Sequence, residues 1–200
     1  PLRTGSNIEA EALSLLLKQK LAGRFALYFL DFRHIVTGGR ALISSISEYE
    51  SSVGEKLPFR PEGFTVQKGN ISLILYDDHI SNRLRQNWTI AHELGHIFLS
   101  HTSDGKKQQN EANRFAAALL IPEAVVRFLD CSLGRDILPE EMTRYFPASF
   151  TACSKRRAEL RGTDYFPTDA GAELVKRLFS PGSAAPSEAL SDFENAVVFK

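Results

Sequence analysis

The stretch AHELGH, residues 91–96, places two histidines four apart with a glutamate beside the first. At about 3.6 residues per turn, His92 and His96 share one face of a helix, a single turn apart, so both imidazoles can converge on one ion. The surrounding sequence agrees with a helix: Leu84, Trp88, Ala91, Gly95 and Leu99 in RLRQNWTIAHELGHIFLSH recur with helical period. Glu93 stands one step round. In HExxH chemistry zinc polarises a water molecule, a glutamate so placed takes its proton, and the water oxygen attacks a carbonyl. The bland alternative is a solvated helix that happens to carry two histidines. Gly95 argues against it, because a glycine inside a helix costs about 1 kcal/mol relative to alanine and an exposed helix gains nothing in return. Here the missing side chain lets a second backbone approach the histidine face.

A catalytic zinc takes three protein ligands and keeps a further position open. His101, Asp104, Glu111 and Glu123 are the candidates for the third. His101, five beyond His96 and near the end of the same helix, is expected to point to a different side of it, where it either supports the ligands or an oxyanion or simply answers the helix dipole. The metzincin arrangement needs a glycine three beyond the second histidine and a histidine six beyond it, but Leu99 and Thr102 hold those positions. Glu111 opens a helical run, NEANRFAAALLIP, with Phe115, Ala118 and Leu119 on one side and consecutive alanines that permit close packing. Residues 102–106 supply loop residues on which this helix can fold back antiparallel, so that Glu111 can face the histidines.

NWTIAHELGHIFLSH followed by NEANRFAAALLIP resembles the ImmA/IrrE family of zinc metallopeptidases, whose members lead through an aromatic or apolar stretch into AHELGH and continue with an EAN-x-FA-x-x-LL-x-P segment. The resemblance covers residues 60–123, and FPASFTACSKRRAELRG is similar to the family's short helical segment after the site. It implies that His92, His96 and Glu111 are zinc ligands and that Glu93 is the general base. The implied fold is α+β: a mainly helical, zincin-like domain with a small antiparallel sheet, followed by a small helical segment of helix-turn-helix type. The implied partner is a protein substrate, a transcriptional repressor that often carries a helix-turn-helix, cleaved in a regulatory response. Residues 1–58 and 163–200 match nothing in the family, and the length fits its short form.

Around this centre, GFTVQKGNISLILY reads as a hairpin whose turn is Lys68, Gly69 and Asn70, and ISLILY or its neighbour offers an edge to an extended peptide. Ser6 and Glu9 form a capping box for a helix over residues 7–22, striped by Leu13, Leu16, Leu17 and Leu21 and ended by Gly23. RFALYFLDF is predicted to be a buried strand, while residues 35–60 fit neither period. His34 and His79 fall in loop-like stretches and read as surface residues, and Asn113 as bonding a neighbouring backbone. TDAGAELVKRLF makes a last helix capped by Thr168; SPGSAAPSE then reads as a linker, and FENAVVF as a tail able to dock on a sheet edge. The expected organisation is a metallopeptidase core over 1–125, a helical segment over 126–180 packed on it, and a linker and tail over 181–200.

The 24 basic and 24 acidic side chains cancel, which argues against a nucleic acid held by overall charge. No apolar run nears the roughly 18 residues of a membrane span, and the opening residues lack the order of a signal peptide, so no membrane is expected and the cytoplasm is the expected compartment. Cys131 and Cys153 are too few for a disulfide framework and read as reduced, packed thiols. A competing reading is a binding module: LPEEMTRYF, a turn at Pro147, Ala148 and Ser149, then FTACSKRRAELR capped by Ser149 and ended by Gly162 has a helix-turn-helix layout. Lys155, Arg156, Arg157 and Arg161 would then meet phosphates. A protein that keeps zinc without catalysis and sequesters a repressor is the remaining alternative.

Overall fold

In the computed structural model, which describes residues 5–69 and 71–180, the chain enters as helix α1 (Gly5–Leu16). Its Ile8, Ala12, Leu13, Leu15 and Leu16 are buried. The helix stops short of residue 22 because Gln19 turns inward. The Gln19 amide donates to Leu15 O at 2.7 Å and Val36 O at 2.9 Å, and its oxygen accepts from the Val36 N–H at 2.9 Å. A buried amide satisfied this way fixes a turn where a continued helix would leave it unpaired. The Ser6 half of the expected capping box lies outside the described side chains.

RFALYFLDF is not a strand. It forms the single turn α2 (Ala26–Phe29) and a 3-10 turn at Phe32–His34, which Asp31 caps by accepting from the Arg33 N–H at 3.1 Å. The aspartate side chain offers the backbone a local partner in place of a ladder. Leu27 and Phe32 still reach the core, whereas Phe29 stays half exposed.

The ambiguous stretch that follows is strand β1 (Ala41–Ser45) running without a loop into helix α3 (Ile46–Val53). Ser45 closes both elements. Its hydroxyl accepts from the Glu48 N–H at 3.0 Å while Glu48 accepts from the Ser45 N–H at 2.9 Å, a reciprocal capping box. The expected hairpin is present as β2 (Gly63–Lys68) and β3 (Ile71–Tyr76), antiparallel with Thr65 opposite Ile74. The sheet as a whole is mixed, not antiparallel, because β1 adds to β3 in parallel and the order is β1-β3-β2. A hairpin leaves one edge of β3 unpaired, and β1 fills it. ISLILY is therefore the central strand and cannot receive a peptide; β2 is an edge.

Helix α4 (Arg83–Phe98) carries AHELGH and starts at Asn82, whose side chain accepts from the Arg85 N–H at 3.2 Å. It lies against β2 and β3, burying Ile90, Ala91 and Leu94. The approach of β2 needs Gly63: a Cβ there would sit 2.3 Å from Thr89 Cγ2. Helix α5 (Lys106–Leu120) returns along α4, as expected, and packs on α1. Gly95 makes the α4–α5 contact possible, since a Cβ would meet Ala112 Cα at 3.0 Å and Ala112 O at 3.1 Å.

Four helices follow: α6 (Glu123–Leu133), the single turn α7 (Pro139–Met142), α8 (Phe150–Leu160) and α9 (Asp169–Phe179). Ser149 and Thr168 cap α8 and α9 as expected. One buried cluster runs from Ile8 to Leu178. The basic face assumed for a DNA-reading helix loses two of its four members: Arg156 and Arg157 are buried at 8% and 4% exposure and paired with acids of α1 and α6, while Lys155 and Arg161 stay exposed. LPEEMTRYF also makes only one helical turn, too short for the first helix of such a unit. Of the cysteines, Cys153 is buried but Cys131 is exposed, and both are free thiols. Among the described residues no helix is long and apolar enough to cross a membrane. FENAVVF and the linker before it, beyond Ser180, lie outside the described residues.

Candidate metal centre

His92 and His96 meet as the helix spacing requires, with Nε2 to Nε2 at 3.1 Å. Behind His92, Nδ1 lies 2.9 Å from Asn113 Oδ1 on α5, so Asn113 holds a ring rather than a backbone group. Behind His96, Nδ1 lies 3.1 Å from His101 Nδ1, and His101 Nε2 lies 3.0 Å from Glu111 Oε2. With both rings neutral, one assignment of the ring protons satisfies these contacts. A carboxylate only accepts, so His101 donates to Glu111 through Nε2 and accepts at Nδ1 from His96. His92 likewise donates through Nδ1 to Asn113 Oδ1. Both Nε2 atoms are then left with lone pairs facing one another, and Gln109 Oε1, also an acceptor, stands 3.1 Å from His92 Nε2.

Facing lone pairs repel unless a cation lies between them. Two nitrogens each about 2.0–2.1 Å from a common zinc ion are separated by little more than 3 Å, so the pair fits that ion in kind and in spacing. The third ligand is not drawn in. Glu111 engages His101 and, at 3.7 Å, Lys107, and among the described residues no group of three or more His, Cys, Asp or Glu side chains is arranged as a ready ligand set. Of the other candidates, Asp104 is 4.0 Å from His96 Nδ1 with its side chain 88% exposed, and Glu123 is tied to Arg127 at 2.9 Å on α6.

Glu93 faces the edge strand, where the Thr65 hydroxyl donates to its Oε2 at 2.7 Å. Burial pushes its carboxyl above the ordinary value, against the opposing pull of the Thr65 hydrogen bond and of His92. A raised value suits a proton acceptor working near neutrality. Burial, and then the neighbouring His92 and His101, push His96 below its ordinary value, which favours the neutral ring that a metal requires.

Glu93, His96 and His101 line one wall of a cleft of about 570 Å³ between β2 and the end of α4, with Phe64, Thr65 and Gln67 on the other; His92 and Glu111 do not line it. A larger hollow of about 650 Å³ lies elsewhere, between α1, α6 and α8, and neither histidine nor cysteine lines it. The smaller cleft is the one lined by Glu93 and His96. His34 is 80% exposed, and neither it nor His79 lines this cleft.

Sequence reasoning missed Thr65, Gln109 and the folded-back position of His101. Thr65 was accessible in principle: alternation along GFTVQK puts Gly63, Thr65 and Gln67 on one face of β2. Gln109 and His101 have no such signature.

A mostly helical α+β fold with an HExxH helix against a small sheet defines a zincin-like domain, and comparison with known families agrees. Residues 50–156, just over half of the chain, match the peptidase family described as IrrE N-terminal-like domain. The chain belongs to that family of metallopeptidases. No curated protein matches it.

Proposed function

We propose that this protein is a zinc-dependent endopeptidase of the ImmA/IrrE type, in which His92, His96 and Glu111 hold the metal and Glu93 is the general base. The observation that carries the reading is the approach of His92 Nε2 and His96 Nε2 to 3.1 Å, one helical turn apart, beside the Glu93 carboxyl that burial pushes above its ordinary value. Zinc bound there supplies a Lewis acid that polarises the scissile carbonyl and acidifies a water molecule. Glu93 accepts the proton of the attacking water and returns it to the leaving amide nitrogen; Thr65 keeps the carboxylate aimed into the cleft. The free edge of β2 lines the same cleft, so an extended substrate segment can add to it as a further strand. Main-chain pairing accepts any sequence, and selectivity then falls to side-chain pockets and to whether a target exposes an unfolded segment.

Resemblance to the ImmA/IrrE family implies the substrate class: a repressor cleaved in the cytoplasm in a regulatory response. The test is zinc content and product mapping by mass spectrometry for wild type and Glu93→Gln, against candidate helix-turn-helix repressors and against casein. Full zinc in both proteins is expected, with repressor cleavage at one or two positions by wild type alone, since losing the base costs roughly 100- to 10,000-fold. Cleavage unchanged in Glu93→Gln removes Glu93 from the mechanism, and rapid unselective degradation of casein defeats the regulatory reading. Full zinc with no cleavage of any repressor favours the sequestering alternative.

A further inference from the structure

Helix α4 ends in a turn that glycine ordinarily makes. The Ser100 N–H bonds Ile97 O at 3.1 Å and the His101 N–H bonds His96 O at 2.9 Å, the paired contacts of a Schellman motif, and Ser100 takes the left-handed φ of +53°. L side chains resist that conformation. Its result is to lay the imidazole of His101 back across His96, with ring centroids 5.0 Å apart and the side chain only 6% exposed. From there Nδ1 reaches His96 on α4 and Nε2 reaches Glu111 on α5. One side chain thus joins two residues that come from different helices.

We propose that His101 is a positioning residue that orients His96 and Glu111 together toward one metal ion. The inference rests on the metal centre proposed above. A ligating imidazole needs its second nitrogen held, which fixes tautomer and ring plane. Asn113 does this for His92, and His101 does it for His96. His101 also occupies Glu111 Oε2, while Oε1 is paired at 3.7 Å only with the exposed Lys107, a contact that a bound ion would replace. The link passes through the space between α4 and α5, so it registers the two helices at the site as well as the side chains on them.

The experiment measures zinc affinity by competition with a chromophoric chelator, together with the visible spectrum of the cobalt(II)-substituted protein. The variants are His101→Ala, His101→Gln and Glu111→Ala. His101→Ala should weaken zinc about 10- to 100-fold and change the cobalt bands. His101→Gln, whose amide can reach Glu111 and donate to it, should recover most of that affinity. His101→Phe fills the same space without hydrogen bonds and reads the same loss if the alanine variant does not fold. Wild-type affinity and an unchanged cobalt spectrum in His101→Ala and His101→Phe overturn the proposal. It is also overturned if His101→Ala abolishes zinc binding, glutamine fails to restore it and Glu111→Ala keeps it, because His101 is then itself the third ligand. Absence of zinc binding by wild type rejects the metal centre and this inference with it, an outcome separate from the other two.

Discussion

Where α8 meets α1 and α6, buried charge is matched with its opposite. Arg156 donates to Glu9 at 2.7 Å and to Ile121 O at 3.1 Å, while Arg157 grips Asp130 at 2.7 and 3.0 Å and reaches Asp136 at 3.2 Å. Arg157 Nε alone is left without a partner. Between α4 and α5 like faces like: two imidazole nitrogens approach to 3.1 Å, backed by Asn113 and His101. The first arrangement pairs its charges within the protein and holds helices together. The second, in the reading proposed above, is completed by a cation. Sequence composition does not distinguish them, since an Arg-Arg pair and a His-His pair both look like candidate binding residues until their surroundings are known.

The comparison breaks first, and hardest, at Arg157. Arg157→Ala strands the Asp130 carboxylate and should lower stability by about 3–5 kcal/mol in urea unfolding, with zinc stoichiometry of the folded protein unchanged. Replacing Arg157 and Asp130 together by Met and Leu should recover most of that loss, because a buried ion pair and an apolar pair of similar volume are close in energy. A loss under about 1 kcal/mol for the single variant would mean that the pair is not the brace described here.

Gly95→Ala tests the other region. The new Cβ would meet Ala112 Cα at 3.0 Å, Ala112 O at 3.1 Å and Phe115 Cβ at 3.2 Å, contacts that backbone cannot easily yield. Overpacking of about 1–3 kcal/mol is offset in part by the roughly 1 kcal/mol that alanine gains in a helix, so the net stability change is modest. Zinc affinity should nevertheless fall, because α5 carries Glu111 and Asn113 and must move. Unchanged affinity in a chelator competition would show that the close approach of the helices is unnecessary to the site.

The smallest effect separates surface pairing from both regions. Arg135 and the Leu138 N–H hold the exposed Glu141 carboxyl down at about 2, from an ordinary 4.5. A lowered folded-state value means that its contribution is present above pH 4.5 and is lost as pH falls toward 2. The stability difference between wild type and Glu141→Gln should therefore shrink across that window, whatever its small starting size. A difference that stays constant with pH would contradict the pairing.

Much of this was open to inspection in the chain. The period of RLRQNWTIAHELGHIFLSH gave α4 and the convergence of His92 with His96, Gly95 announced a close neighbour, and the caps at Ser149 and Thr168 are where the residue types require them. The Ser45 and Glu48 capping box was equally present in SEYE and its preceding residues but was hidden by a strand too short to show a period. RFALYFLDF misled because its apolar content suits a strand, while the Asp31 cap favours a turn.

Local periodicity and covalent spacing, which act within a few residues, determined from the sequence alone the helix of the HExxH motif, the hairpin ahead of it and the identity of Glu93, His92 and His96. Only the tertiary structure decided that β1 pairs with β3, that Arg156 and Arg157 turn inward, and that Ser100 adopts a left-handed turn placing His101 between His96 and Glu111. Each of those outcomes depends on groups distant in sequence or on a conformation that the residue type disfavours. The free energy of a strand edge, a buried ion pair or a folded-back imidazole belongs to the partner that packing supplies, and no window of neighbouring residues contains it.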